Sequence, residues 1–478
     1  MKAEYKDILK PVYAFANKAG VKLYLVGGIL RDAVLKREKH NLDFDFCLKD
    51  NAINFGSRLA KEIRCGFVVL DKEHGACRLV EKIKDKIYTL DFSDFRGRTL
   101  EEDLKHRDFT INTLALELKD LFLTKNPQAK IIDSCAALGD LKAKVIKMAS
   151  PQAFDEDALR ILRAFSLAAT FGFKIEPRTL QLIKSKAKKL SDVSLERIRD
   201  ELFKILDSRD SFEYISEMDN LGVIKAAFPE FNIMRGVKQG PYHHLDVWKH
   251  TLEALKQLDG LIVQVHSNKE IQSYLAEVIC AERSRRSLVK LGALLHDIGK
   301  PAALRRKNGK TMFHGHERIG SEIAQDVARR LKLSNDELQA LNKMVFWHLR
   351  PGYLADTETP SARARFRYFR DTAEEGLSIL LLSMADQRAT RGPLTSRDSR
   401  QQHERVIYRL IKEYFKNKKE KKLVGFLNGD ELIKKFKLEP SPLIGKVLLE
   451  LEELQVIGRL KNKKEALEAA KKIIDNER

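Results

Sequence analysis

Leu23–Leu48, LYLVGGILRDAVLKREKHNLDFDFCL, decides how this chain is read. It predicts strand, tight turn, helix, loop and strand in succession. Leu23-Tyr24-Leu25-Val26 is a short apolar run closed by Gly27-Gly28, where the missing Cβ atoms let backbone approach a ligand closely. A helix beginning near Ile29 aims its free N–H groups at that spot, which suits a phosphate. Arg31 in its first turn can add a charge-assisted bond. Leu42-Asp43-Phe44-Asp45-Phe46 alternates strictly, so Asp43 and Asp45 share one strand face and the two phenylalanines the other. Adjacent carboxylates repel unless a cation lies between them. A divalent metal on carboxylates beside a phosphate cradle is the apparatus of phosphoryl or nucleotidyl transfer. Alone, the Asp-x-Asp pair fits a solvent-facing edge strand better than a metal site; the GG-x-x-RD run upstream reverses that and favours the metal site.

Outward from this stretch, residues 1–20 predict an amphipathic helix and Phe55–Ile63 another. Ala76–Ile83 and Lys86–Phe92 predict a hairpin turned at Lys84-Asp85. In its second strand Tyr88, Leu90 and Phe92 share one face, and Thr89, Asp91 and Ser93 the other. Asp91 is then either a third acid on the metal face or an ordinary surface acid. Leu104–Asn112, LKHRDFTIN, reads as opening a helix, as a cap and first turn or as polar groups reaching ribose and phosphate. Asp155–Phe173 predicts one amphipathic helix with Glu156, Asp157, Arg160 and Arg163 on a single face. That face is either a solvated ion-pair ladder or a base reader. A carboxylate accepts from an exocyclic amino group while a guanidinium donates to the neighbouring ring acceptor. Cytosine and adenine present that pattern, so an Asp157/Arg160 pair can accept CTP and ATP and reject UTP and GTP.

At 478 residues the chain has room for three or four domains. Its net charge of +20 suits a polyanionic partner. Sparse glycine and proline and the lack of low-complexity segments exclude a largely disordered chain. The five scattered cysteines read as thiols of a reducing cytoplasm. No apolar run reaches membrane-spanning length, so a soluble cytoplasmic protein is expected.

Gly27, Gly28, Arg31, Asp32, Asp43 and Asp45 together resemble the first motif of class II CCA-adding tRNA nucleotidyltransferases and the related bacterial poly(A) polymerases. Arg107–Asn112, RDFTIN, is similar to their ribose-recognition motif, and Glu156, Asp157 and Arg160 to their nucleotide-selecting motif. Ser194-Leu195-Glu196-Arg197-Ile198 resembles the helix-stabilising motif that follows. The resemblance implies an α+β fold: an N-terminal nucleotidyltransferase mixed sheet with helices, then all-helical neck, HD and tail domains. It implies Asp43 and Asp45 as catalytic Mg²⁺ ligands, with Gly27, Gly28, Arg31, Arg107, Asp108, Asn112, Glu156, Asp157, Arg160 and Arg163 binding nucleotide. Two departures stand out. His106 occupies a position usually arginine, and Ala136-Ala137 replaces the glycine pair of the hinge motif Asp133–Leu141.

A second chemistry starts near Gly240. His250, His296-Asp297 within Leu291–Lys300 (LGALLHDIGK), His316, His348 and Asp386 follow in order. His314 and His316 come after a hairpin turned at Asn308-Gly309. The set resembles the HD metal-dependent phosphohydrolases, and imidazole with carboxylate suits divalent Mn²⁺, Ni²⁺ or Mg²⁺. The basic tail contains the lysine run Lys416–Lys422, and its segments Asn428–Leu432 and Pro440–Gly445 resemble the end of the same transferases. The expected organisation is a head at 1–148, a neck at 149–235, an HD domain at 236–400 and a tail at 401–478. The expected activity is CCA addition to the tRNA 3′ end from CTP and ATP, with the HD domain hydrolysing phosphates at RNA ends. Alternatives are a poly(A) polymerase, an enzyme adding only CC or only A, an HD hydrolase with an RNA-binding head, and a tRNA-binding chaperone.

Overall fold

A computed structural model describes residues 3–37, 42–83, 86–420 and 425–477. The Lys84-Asp85 turn, the loop at 38–41, the first two residues of the chain and the end of the lysine run lie outside the described residues. The chain divides into two compact units, one of residues 1–205 with 217–227 and one of 206–216 with 228–478.

The first unit is built on a six-stranded mixed sheet. Its strands are β1 (Tyr24–Val26), β2 (Leu42–Leu48), β3 (Gly66–Asp71), β4 (Ala76–Ile83), β5 (Lys86–Asp94) and β6 (Ala115–Glu117), in the order β3-β4-β5-β2-β1-β6. β2 and β5 run parallel in a register that sets Asp43 beside Thr89 and Asp45 beside Asp91. The alternation read from the sequence holds: Phe44, Phe46, Leu90 and Phe92 are buried, and Phe46 stacks on Phe92 at 5.0 Å between ring centroids. The helices Ala3–Lys18 and Ala52–Ile63 contribute Tyr5 and Phe55 to the same aromatic core. The sheet and this core hold one polar face open. That face carries the acids.

Two local expectations fail. Leu104–Asn112 does not open a helix: the helix Leu100–Lys105 ends first, and Thr110–Asn112 is a single 3₁₀ turn leading into β6. Asp155–Phe173 is not one helix either. It breaks into Ala153–Glu156 and Arg160–Phe171, with Asp157 extended at φ −153°. The Asp157 carboxylate accepts from Leu159 N at 3.1 Å, a local bond that competes with the helical ladder.

The hinge motif folds in spite of its alanines. Asp133 accepts from the N–H groups of Ala137 (2.7 Å) and Leu138 (2.9 Å), opening the helix Ala137–Ala143. Ala136 takes φ 60°, the left-handed conformation that glycine adopts without a Cβ penalty. Its side chain is exposed, so replacement sacrifices no buried packing. Ala136→Gly is expected to raise stability by about 1 kcal/mol in chemical denaturation; an unchanged or lowered midpoint would contradict the conformational argument.

The second unit is helical. Its main helices are Val247–Gln264, Arg285–Leu295, His316–Arg330, Asn335–Trp347, Gly376–Ala389 and Arg397–Lys419. The predicted hairpin is present, with strands Arg305–Lys307 and Lys310–Met312 joined by Asn308 (φ 51°) and Gly309 (φ 71°). Among the described residues, no helix is long and apolar enough to cross a membrane.

Candidate active site and metal centre

In the first unit a cavity of about 450 Å³ opens over the sheet. Gly27 forms its floor at φ 74° and ψ −142°, and a Cβ there would stand 3.0 Å from Asp45 Oδ2 and 3.4 Å from an Arg107 nitrogen. Only glycine permits both the conformation and the approach. Gly28, Arg107, Asp108 and Asn112 also line the cavity, as do Asp157, Arg160 and Arg163. Withdrawal from water raises the Asp45 carboxyl above its ordinary pKa against the pull of Arg107. The Asp91 and Asp43 carboxylates raise it further. This negative crowding is what a divalent cation relieves. Asp43 is exposed on the same strand face, outside the cavity lining, and accepts from Thr89 Oγ1 at 2.5 Å.

Asp91 lines the cavity but already has a partner, since Arg78 Nε and Nη2 donate to its two oxygens, each at 2.7 Å. Among the described residues, Asp43, Asp45 and Asp91 do not close into a three-ligand cluster. Arg31 departs most from the sequence reading. It lies outside the cavity lining, only 5 % exposed, bonded to Asp32 (3.0 Å) and to Asn112 Oδ1 (2.6 Å). Its guanidinium lies 4.4 Å from the centroid of the Phe171 ring. Arg31 is therefore held beside the glycine turn by Asp32, Asn112 and the Phe171 ring.

Asp108 accepts from Asn112 Nδ2 (2.9 Å), Phe109 N (2.8 Å) and Arg163 Nε (2.5 Å). Burial works against its charge, yet Arg163 and these donors hold its carboxyl below the usual carboxylate range. Glu156 accepts from His106 Nδ1 (2.7 Å) and Arg160 Nη1 (3.0 Å), and it stands outside the cavity lining. Arg160 is buried, with Nη2 on the His106 carbonyl at 2.7 Å. Asp157 pairs with Arg197, whose Nη2 donates to Oδ2 at 2.7 Å. Because the helix breaks at Asp157, Glu156, Asp157, Arg160 and Arg163 do not lie on one helix, although Asp157, Arg160 and Arg163 line the one cavity and Glu156 bonds Arg160. Arg197 lines the cavity and is absent from the site read out of the sequence, although it stands in the SLERI segment.

In the second unit all six predicted HD residues converge. Asp297 Oδ2 lies 3.6 Å from His250 Nε2 and 3.2 Å from His296 Nε2; its Oδ1 lies 3.4 Å from His316 Nε2 and 3.8 Å from His348 Nε2. Asp386 Oδ1 is 2.9 Å from His250 Nε2. The imidazoles are oriented from behind: Nδ1 of His296, His316 and His348 meets the carbonyls of Ala293 (2.8 Å), Phe313 (2.8 Å) and Val345 (2.6 Å). A ring that donates through Nδ1 offers a bare Nε2, the arrangement of a metal ligand. Burial, then the neighbouring His296, pushes His348 down to about 3, so it stays neutral as a ligand must. Two ligand groups share one carboxylate, His250-His296-Asp297 and Asp297-His316-His348. The donor set fits one or two divalent ions.

Three residues without a role in the sequence reading complete this centre. Lys300 Nζ donates to Asp297 Oδ2 and to Gln239 Oε1, each at 2.6 Å. The His243 ring lies 4.7 Å from that of His250. Gly299 is needed for space, because a Cβ there would stand 2.2 Å from the His316 carbonyl.

A mixed sheet with a glycine-floored, acid-bearing cavity, together with a helical unit holding an HD centre, defines a nucleotidyltransferase with an HD domain. Residues 23–147 match the family described as "Poly A polymerase head domain", 172–234 that described as "Probable RNA and SrmB- binding site of polymerase A", and 243–391 the "HD domain". Residues 396–470 match a tRNA nucleotidyltransferase domain 2 family. The chain is 30 % identical over 455 residues to an A-adding tRNA nucleotidyltransferase of Deinococcus radiodurans, covering 92 % of this chain and 93 % of that one. It is 26 % identical to a CC-adding tRNA nucleotidyltransferase of Synechocystis, with 94 % and 93 % covered. A CCA-adding enzyme of Thermotoga maritima, solved with tRNA, shares its fold at a TM-score of 0.64 and 22 % identity, with 100 % of this chain and 97 % of that one covered. The chain belongs to the class II tRNA nucleotidyltransferases, and it is an enzyme of that class. Divalent-metal dependence accompanies a nucleotidyltransferase head joined to an HD domain.

Proposed function

We propose that the chain adds CMP and AMP from CTP and ATP to the 3′ end of tRNA, with Mg²⁺ in the head and Mn²⁺, Ni²⁺ or Mg²⁺ in the HD centre. The observation that carries this reading is Asp45 beside Gly27 and Arg107 in one cavity. Asp43 and Asp45 would hold the metal, which supplies charge neutralisation at the α-phosphate and activation of the RNA 3′-hydroxyl. Gly27 and Gly28 bring main chain against the triphosphate, and Arg107 offers it positive charge. Asp108 and Asn112 face the ribose. Asp157 accepts from the base amino group, with Arg197 rather than Arg160 as its present partner. The working segments are a head at 1–148, a neck at 149–235, an HD domain at 236–400 and a tail at 401–478, in the cytoplasm. The +20 charge serves the RNA backbone, so log affinity for tRNA falls by ~0.7–0.9 per neutralised phosphate against log salt.

Addition of CC alone or A alone is the second reading, favoured by relatives that bear each of those names. Incubating tRNA that lacks its terminal CCA, CA or A with CTP, ATP and both, then sequencing the ends, tests it. Complete CCA on all three substrates is the expected result, and growth only by CC or only by A overturns it. In the same assay Asp157→Ala is expected to slow addition and to relax exclusion of UTP and GTP by roughly tenfold to a hundredfold. An unchanged nucleotide preference would remove Asp157 from base selection.

The HD centre, in this reading, hydrolyses a 2′- or 3′-phosphate or a 2′,3′-cyclic phosphate at an RNA end. Hydrolysis of a monoester restores the hydroxyl that nucleotide addition requires; a cyclic phosphate is opened by one water to the monoester, and a second water releases inorganic phosphate. Support comes from the six retained ligands, all of metal-binding type and all converged.

A further inference from the structure

The second unit holds another cavity, of about 440 Å³, that no part of the chemistry above uses. Four arginines line it, Arg388, Arg391, Arg397 and Arg400, with Gln257 and Glu404 among the remainder. They come from three places: the end of the helix Gly376–Ala389, the segment after it, and the first turn of the helix Arg397–Lys419. Glu404 is taken by Arg388 Nε at 2.7 Å, and Arg388 Nη1 donates to Gln264 Oε1 at 3.0 Å. Arg391 Nε donates to the Arg388 carbonyl at 3.2 Å, and Arg400 Nη1 to Thr395 Oγ1 at 3.3 Å. Among the described residues, no ion pair within 4 Å joins Arg391, Arg397 or Arg400 to a carboxylate. Three guanidinium charges thus face one cavity whose lining carboxylate, Glu404, is held by the fourth arginine.

The lining is made of arginine, glutamine and glutamate, so no aromatic or aliphatic surface is present on which a base could stack. Forked N–H donors without a stacking platform suit phosphate oxygens. Gln257 stands seven residues after the metal-site residue His250 on the same face of one helix, about 10 Å along its axis. Arg388 stands two residues after Asp386. A short run of nucleotides bridges that distance. We infer that this cavity grips the phosphodiester backbone of the RNA strand whose end enters the HD centre. The inference rests on the reading of that centre as a hydrolase of RNA-end phosphates, and it adds the feature that distinguishes an RNA end from a free nucleotide.

The test uses the full-length protein and the double variant Arg391→Ala/Arg397→Ala, neither residue being a metal ligand. Two substrates are compared: 2′,3′-cyclic AMP and a single-stranded RNA oligonucleotide ending in a 2′,3′-cyclic phosphate. The variant is expected to raise KM for the oligonucleotide on the order of tenfold with kcat unchanged, and to leave both constants for cyclic AMP unchanged. The salt dependence of the oligonucleotide KM is expected to flatten by ~0.7 for each phosphate that the variant no longer neutralises. The Arg391→Lys/Arg397→Lys protein is expected to recover part of the affinity. An unchanged oligonucleotide KM, or an equal rise for both substrates, overturns the inference. Free polyphosphate offers the same chemistry. If tripolyphosphate binds in a variant-sensitive way while the oligonucleotide KM stays constant, the occupant is polyphosphate and the inference falls. If the wild type hydrolyses neither substrate with Mn²⁺, Ni²⁺ or Mg²⁺, the hydrolase reading fails by itself. The cavity is then judged by binding of a hydroxyl-ended oligonucleotide, which the double variant must weaken by the same factor; equal binding overturns it.

Discussion

Asp45→Asn is expected to reduce nucleotide addition by on the order of 10³-fold or more, because it removes the negative charge that would hold the divalent metal without altering the shape of the site. The same substitution is expected to raise, not lower, the melting temperature of the metal-free protein. The sign follows from the direction of the shift. Burial first, then the Asp91 and Asp43 carboxylates, holds the Asp45 pKa above its unfolded value. Its charged form is therefore disfavoured by folding: the folded state gains from protonation at low pH, and that gain is lost as pH rises through the folded pKa. Asparagine carries no such charge at neutral pH. Lost activity with equal or better stability identifies a functional acid. Near-normal turnover, measured with the tRNA end-sequencing assay, would end the assignment.

Asp297→Ala is expected to separate the two chemistries. Both histidine groups of the HD centre depend on this one carboxylate, so its loss is expected to cut bound divalent metal and phosphate release from a cyclic-phosphate RNA at least about a hundredfold. Addition to an intact tRNA is expected to survive, since no atom of the glycine-floored cavity belongs to this centre. Lys300 loses its carboxylate in that variant and keeps Gln239, so a stability loss of ~3 kcal/mol or more is expected. Asp297→Asn keeps the shape and a hydrogen-bond acceptor, and controls for that loss. Metal content by elemental analysis and phosphate release decide the outcome. Retention of either function in both variants would refute a shared bridging ligand.

What could be read from the sequence follows the range of the interactions. Strand alternation at Asp43–Phe46 and the glycine turn at Gly27 are local facts, set by period and by the missing Cβ, and both reappear in the fold. The HD ligands are legible because each sits in a short motif whose own helix aims it. The helix break at Asp157 is hidden by amphipathic spacing that continues straight through it; the carboxylate's bond to Leu159 N wins over the period. Arg31 cannot be placed from spacing, since the acceptor that captures it, Asn112, lies 81 residues away. Arg197 meets Asp157 across 40 residues, beyond any periodicity argument. His106 departs from the family pattern, and its ring bonds Glu156, fastening the helix Ala153–Glu156 to the segment before Arg107.

The brace around Arg31 sets an order on the nascent chain. Both Arg31 and Arg37 lie over the Phe171 ring, at 4.4 and 4.6 Å, and Arg37 also donates to the Thr170 carbonyl at 3.1 Å. All strands of the six-stranded sheet are synthesised by residue 117, but the ring that seats these two cations emerges more than fifty residues later. A fragment ending at residue 148 would contain both strand acids and the complete glycine turn, and would still lack the ring against which Arg31 of the helix Gly28–Val34 settles. The native seats of Arg31 and Arg37 are therefore complete only once Arg160–Phe171 has been made, and a chain cut before that helix is expected to be less stable than the whole unit.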